Sequence, residues 1–154
     1  MEAVLRSLFM IICVAIMQPV RAAGDRDLLR GLNYFYLAVE QLDEDAQRCG
    51  VQIQDIETSV RYILQQSGIK VTTTISPLGY IYANLTMLEN CAFAYQLELK
   101  VPIRVVGNGT TGVATIWDSG GVSNGPRSTA LSRVTRNFEN MAKRLVSDWS
   151  AVNQ

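Results

Sequence analysis

The chain has no histidine. That removes the usual neutral-pH general base and the commonest zinc ligand in one stroke. Cysteine is scarce as well, three in 154 residues, which excludes a disulfide-dense scaffold and leaves no thiolate metal cluster. Charge of either sign is not in excess, with 14 basic and 14 acidic side chains, so no net field points to nucleic acid or to an anionic membrane. Long apolar runs are missing too. The longest, "LFMIICVAIM", is ten residues, where a membrane-spanning helix needs about 20.

What is present begins with that short run. "MEAVLRS", the ten apolar residues and then "QPVRAAG" follow the layout of a secretory leader. Val20 and Ala22 satisfy the small-residue rule, which predicts cleavage after Ala22; an uncleaved anchor is the alternative. Cys13 lies inside the run and the residue directly after the cleavage site is Ala23, not cysteine, which argues against a lipid-anchored N-terminus. The remaining 132 residues suit one domain. Without Arg6, Arg21 and Glu2 that domain carries 12 basic and 13 acidic groups. Its two cysteines, Cys49 and Cys91, are expected to pair in an oxidising compartment.

Hydrophobic periodicity then sorts the domain. Residues 23–32 read as a frayed lead-in. In "NYFYLAVEQL", Phe35, Leu37 and Val39 alternate with Tyr34, Tyr36, Ala38 and Glu40, as in a strand. "DEDAQRCG" reads as a polar turn. Ile53, Ile56, Val60, Ile63 and Leu64 recur at three and four, a helix stopped by Gly68. "IKVTTTI" is a short strand, and "YIYANLTML" alternates again. "CAFAYQLELKVPIRVV" is the clearest strand of all, with Cys91, Phe93, Tyr95, Leu97, Leu99, Val101, Ile103 and Val105 on one side. "VATIW" is the last strand, followed by "DSGGVSNGPRS" as a loop. A long helix to about Trp149 carries Leu131, Val134, Phe138, Met141 and Leu145 on its apolar stripe. The expected fold is α+β, a two-layer sandwich in the order β-α-β-β-β-β-α. Two helices cover one face of a mostly antiparallel five-stranded sheet.

Several stretches resemble catalytic or binding motifs, and most fail on chemistry. "GVSNG" matches the Gly-x-Ser-x-Gly elbow, but Ser123 has no histidine to activate it, and Lys70, Lys100 and Lys143 stand isolated. "GNGTTG" matches Gly-x-Gly-x-x-Gly but leads into a strand instead of a helix, so it reads as a hairpin loop. "DEDAQ" gathers three carboxylates without the ligand spacing of a calcium loop. Asn84 and Asn108 open glycosylation patterns that matter only in a eukaryote. Arg127, Arg133, Arg136, Lys143 and Arg144 give the last helix a basic character, read as a solubilising face. No catalytic residue, metal or cofactor is expected.

The suggestive feature is the polar side of the sheet. Tyr34, Tyr36, Tyr80 and Tyr82 share its parity with Asn84, Thr86, Gln96 and Glu98. Tyrosine is enriched at interfaces because it couples a rigid apolar ring to a hydroxyl. Two explanations stay open at this level: a binding patch for an envelope protein or a polymer, or cross-strand pairs that stiffen the sheet. Two other classes also remain. One is a carboxylate hydrolase using Glu40 and Glu98, the other a protomer that assembles through sheet edges.

"SGIKV", "AYQLELKVPIRV", "ATIWDSGGVSNG" and the closing "WSAVNQ" together resemble uncharacterised small exported bacterial α+β proteins. The resemblance implies a periplasmic or secreted address and this fold class, and no activity.

Overall fold

The computed structural model describes residues 24–75 and 78–154. The leader and cleavage site expected from the sequence lie outside the described residues. The elements are α1 (Gly24–Asp27), β1 (Tyr34–Val39), α2 (Glu44–Arg48), α3 (Ile53–Gln66), β2 (Lys70–Thr72), β3 (Tyr80–Met87), β4 (Phe93–Arg104), β5 (Thr111–Ser123) and α4 (Ala130–Asn153). Single 3-10 turns occupy Glu89–Cys91 and Arg127–Thr129.

The five strands form one sheet in the order β2-β1-β3-β4-β5. The α+β class holds, but the sheet is mixed. β1 runs parallel to both β2 and β3, and only β3–β4 and β4–β5 are antiparallel. The reason is the α3 crossover, which returns the chain to the level where β1 began and so makes β2 parallel. β2 and β3 lie on opposite flanks of β1.

Alternation and helical stripe meet where expected. Phe35, Leu37, Ile81, Ala83, Phe93, Leu97 and Leu99 point to the helices and are buried. Ile56, Val60 and Leu64 of α3 and Val134, Phe138, Met141 and Leu145 of α4 close over them. Leu131, assigned to the same stripe, is instead 41 % exposed, although Ala130 before it and Val134 after it are fully buried. Gly68 ends α3 at φ +84°, a conformation that glycine adopts without steric cost. Cys49 and Cys91 form the disulfide, with Cα atoms 5.8 Å apart.

Four local readings are corrected. Residues 24–32 are docked, not frayed: Leu29 is fully buried, and Asn153 accepts from Gly31 N (2.6 Å) and donates to Leu29 O (2.9 Å). Trp149 Nε1 adds a hydrogen bond to Leu32 O. The "DEDAQ" segment is a helix start: Asp43 caps α2 by accepting from Ala46 N at 2.7 Å, while Glu44 and Asp45 pair with Arg48. The "DSGGVS" stretch continues β5, where two glycines pass close to Tyr95. A Cβ on Gly120 would meet Tyr95 O at 2.6 Å, and one on Gly121 would meet Tyr95 Oη at 2.9 Å. Here glycine marks close approach within a sheet. Finally, the odd side of β4 meets the helices only as far as Leu99. A register shift between Leu99 and Lys100 precedes an uncovered hairpin, on which Ile103 is 40 % and Val106 fully exposed.

The hairpin loop at 105–110 matches its reading, closed by Val105 N to Thr110 O at 2.8 Å. Asn108 lies in that loop and accepts from Thr110 N. The basic residues of the last helix do not form one face. Arg133 turns inward, donating to Cys91 O at 3.0 Å and to Ser123 Oγ at 3.3 Å, with its guanidinium 5.0 Å from the Phe93 ring. Ser123 Oγ therefore contacts a permanent cation.

Candidate binding face

The pairing registers decide which polar-side residues are neighbours. Tyr36 lies beside Tyr80 and Ala38 beside Tyr82 on the β1–β3 pair. Across β3–β4, Tyr80 faces Lys100, Tyr82 faces Glu98 and Asn84 faces Gln96. Tyr34 is one step further out, opposite Lys70 of β2. All seven side chains named from the sequence thus share one face, away from α3 and α4. Tyr34 is exposed and the other three tyrosines are half-buried.

The centre of the face is a polar network around Tyr82. The ammonium of Lys100 sits 4.5 Å from the Tyr82 ring centroid and pairs with Glu98 at 2.9 Å. Glu98 also accepts from Thr115 Oγ1 at 3.2 Å. On the other flank Asn84 Nδ2 donates to Glu40, and Thr86 Oγ1 to Asn84 Oδ1 at 3.4 Å. Hydrogen bonding to Glu40 raises the Tyr82 phenol above its ordinary pKa of 10.0, with partial burial and the charges of Glu40 and Glu98 adding to the effect. The phenol is therefore a neutral donor across the physiological range.

Gly79 sets the approach at the start of β3. It has φ +142°, and a Cβ there would lie 2.6 Å from Lys100 O. The backbone of β4 thereby packs directly against the turn that introduces Tyr80.

Lys100, Thr115 and Asp118 belong to this face and were not among the binding residues proposed from the sequence. Lys100 has the right parity in β4, which is the signal that could have found it. Asp118 lies opposite Glu98, but it was hidden because its segment reads as a loop. Thr115 was hidden by the bulge, which resets the β5 parity at Ile116.

A cavity of about 900 Å³ lies elsewhere, beside the Cys49–Cys91 bridge. No helix among the described residues is long and apolar enough to cross a membrane.

No protein-family model and no curated protein matches the chain. Among solved structures it is similar to a PelC dodecamer from Paraburkholderia phytofirmans, at 18 % identity and a TM-score of 0.40, covering 78 % of this chain and 90 % of that one. It is also similar to a minor lipoprotein from Acinetobacter baumannii, at 13 % identity and a TM-score of 0.30, covering 78 % of this chain and 94 % of that one.

Proposed function

We propose that this is an exported, non-catalytic binding domain of the bacterial envelope, which captures a partner protein on the tyrosine-bearing face. The observation that carries the reading is the register that sets Tyr36 beside Tyr80 and Tyr82 beside Glu98 on a face the two long helices leave free. Rigid rings held by neighbouring strands lose little side-chain entropy on binding, and the surrounding amides and charges supply hydrogen bonds at defined places. The leader-like N-terminus and the Cys49–Cys91 bridge support an oxidising address outside the cytoplasm. Binding is favoured over carboxylate catalysis because both candidate acids are already engaged, Glu98 by Lys100 and Thr115 and Glu40 by Asn84.

The test is capture from the organism's own envelope extract, with purified chain as bait. Tyr36→Ser combined with Tyr82→Ser should abolish capture while leaving the melting temperature nearly unchanged. Undiminished capture by the double variant ends this reading; recovery of a glycan instead of a protein redirects it to a polymer.

A second reading, self-assembly, is favoured by one observation. β5 forms the sheet edge over 13 residues, with Val113 and Val122 exposed. Light scattering of the purified chain separates a monomer from an edge-paired assembly.

A further inference from the structure

The opposite edge of the sheet is incomplete in a different way. β2 pairs with β1 only over Tyr34–Tyr36, whereas β1 continues along β3 to Val39. Tyr36 N donates to Gly79 O at 3.4 Å and Glu40 N to Ala83 O at 2.9 Å. Even-numbered residues of β1 therefore aim their backbone groups at β3, and odd-numbered ones aim away from it. Thr74 N, which could have prolonged the β2 ladder, turns back onto Thr72 Oγ1 at 3.0 Å. Among the described residues, nothing fills the strand position that faces Val39 N–H and C=O.

Two cavities follow this open edge and share Val39 and Ile53. The first, about 410 Å³, lies at the carboxyl end of β1 between α2 and the first turn of α3. Its floor is apolar, formed by Val39, Leu42 and Ile53. Its rim is four glutamines: Gln41 after β1, Gln47 in α2, and Gln52 and Gln54 at the start of α3. The amides of Gln41, Gln47 and Gln54 have no hydrogen-bond partner among the described residues. No charged side chain lines this cavity. The second, about 220 Å³, runs back along β1 past Leu37 to Tyr36 and Thr73, under the Glu57–Arg61 pair of α3.

We infer that this groove is a peptide site: an extended segment of a partner protein adds to β1 where β2 stops, seating an uncharged polar side chain among the glutamines. The N–H and C=O that Val39 turns to this edge are matched by another extended backbone. An apolar floor ringed by free amides accepts a side chain such as Gln, Asn or Thr, and disfavours a charged one, which would lose water without gaining a counter-charge. The site lies on the β1 edge and shares only Tyr36 with the tyrosine face.

The experiment is selection of random octapeptides displayed on phage against the oxidised protein, followed by amide hydrogen exchange with a recovered peptide. The expected peptides are extended, β-prone and uncharged at the anchoring position, and they slow exchange of the Val39 amide. Gln47→Glu combined with Gln54→Glu should weaken them by about tenfold or more, as expected when a buried polar side chain loses its matched partners. Val39→Pro, which removes an edge N–H that the β1–β3 ladder does not use, should do the same. Tyr82→Ser should leave peptide binding intact, which separates failure of this site from failure of the tyrosine face. Recovery of no peptide, or binding without protection of Val39, overturns the inference. Protection of Val39 by protein concentration alone, with a dimer in sedimentation, also overturns it, in favour of a second copy as occupant.

Discussion

The two halves of β4 alternate in the same way and end up in different environments. From Phe93 to Leu99 the apolar side lies under α4, and Phe93, Leu97 and Leu99 are fully buried. From Val101 to Arg104 the same side has no helix above it, and Ile103 is 40 % exposed. Alternation therefore reports that a segment is extended. Whether its apolar side becomes core depends on what length of helix is available to cover it. The register shift at Leu99/Lys100 sits at the boundary between the two halves.

The sharpest way to break this comparison is truncation on each side of the boundary. Leu97→Ala should cost about 3 kcal/mol, because a fully buried leucine leaves a cavity. Ile103→Ala should change stability by less than about 0.5 kcal/mol, as surface substitutions do. Urea melts of the two variants measure the difference, and equal losses would mean that the hairpin has a cover of its own.

Glycine offers a smaller contrast of the same kind. Gly120→Ala places a Cβ 2.6 Å from Tyr95 O, a backbone atom that cannot swing aside. The expected loss is about 2 kcal/mol from overpacking. Gly112, on the uncovered hairpin, has nothing within 4 Å of its would-be Cβ, so Gly112→Ala should be neutral or slightly stabilising. Thermal unfolding of the pair decides it.

The smallest effect is expected on the polar side of the covered half. The folded chain holds the Tyr82 proton more tightly than the unfolded chain does. This stabilisation is whole below the ordinary phenol pKa of 10.0 and is lost as pH rises from there through the folded value. An absorbance titration should show one phenol ionising late, and Tyr82→Phe should remove that step.

Much of the fold was legible because period and burial agree in β1, α3, β3, the first half of β4, and α4. The four tyrosines were placed by parity alone, and parity survives any choice of strand order. Three features were not legible. The parallel β1–β3 pairing sets β2 and β3 on opposite flanks of β1, an order that no local residue announces. The β5 extension was hidden because Gly120 and Gly121 read as turn residues, when they are there for the ring and carbonyl of Tyr95. The docking of residues 24–32 depends on Trp149 and Asn153, more than a hundred positions away, and no window-based pattern reaches that far. The glutamine-lined groove was missed for a related reason, since its rim is drawn from three elements and none of them carries a motif.

The tie between Asn153 and the Gly31 and Leu29 backbone has a temporal side. A polypeptide that emerges amino end first presents residues 24–32 early, yet their seat is built from the final helical turn. Leu29 must wait in water until residues 149–153 arrive, so this part of the core closes only after α4 is made.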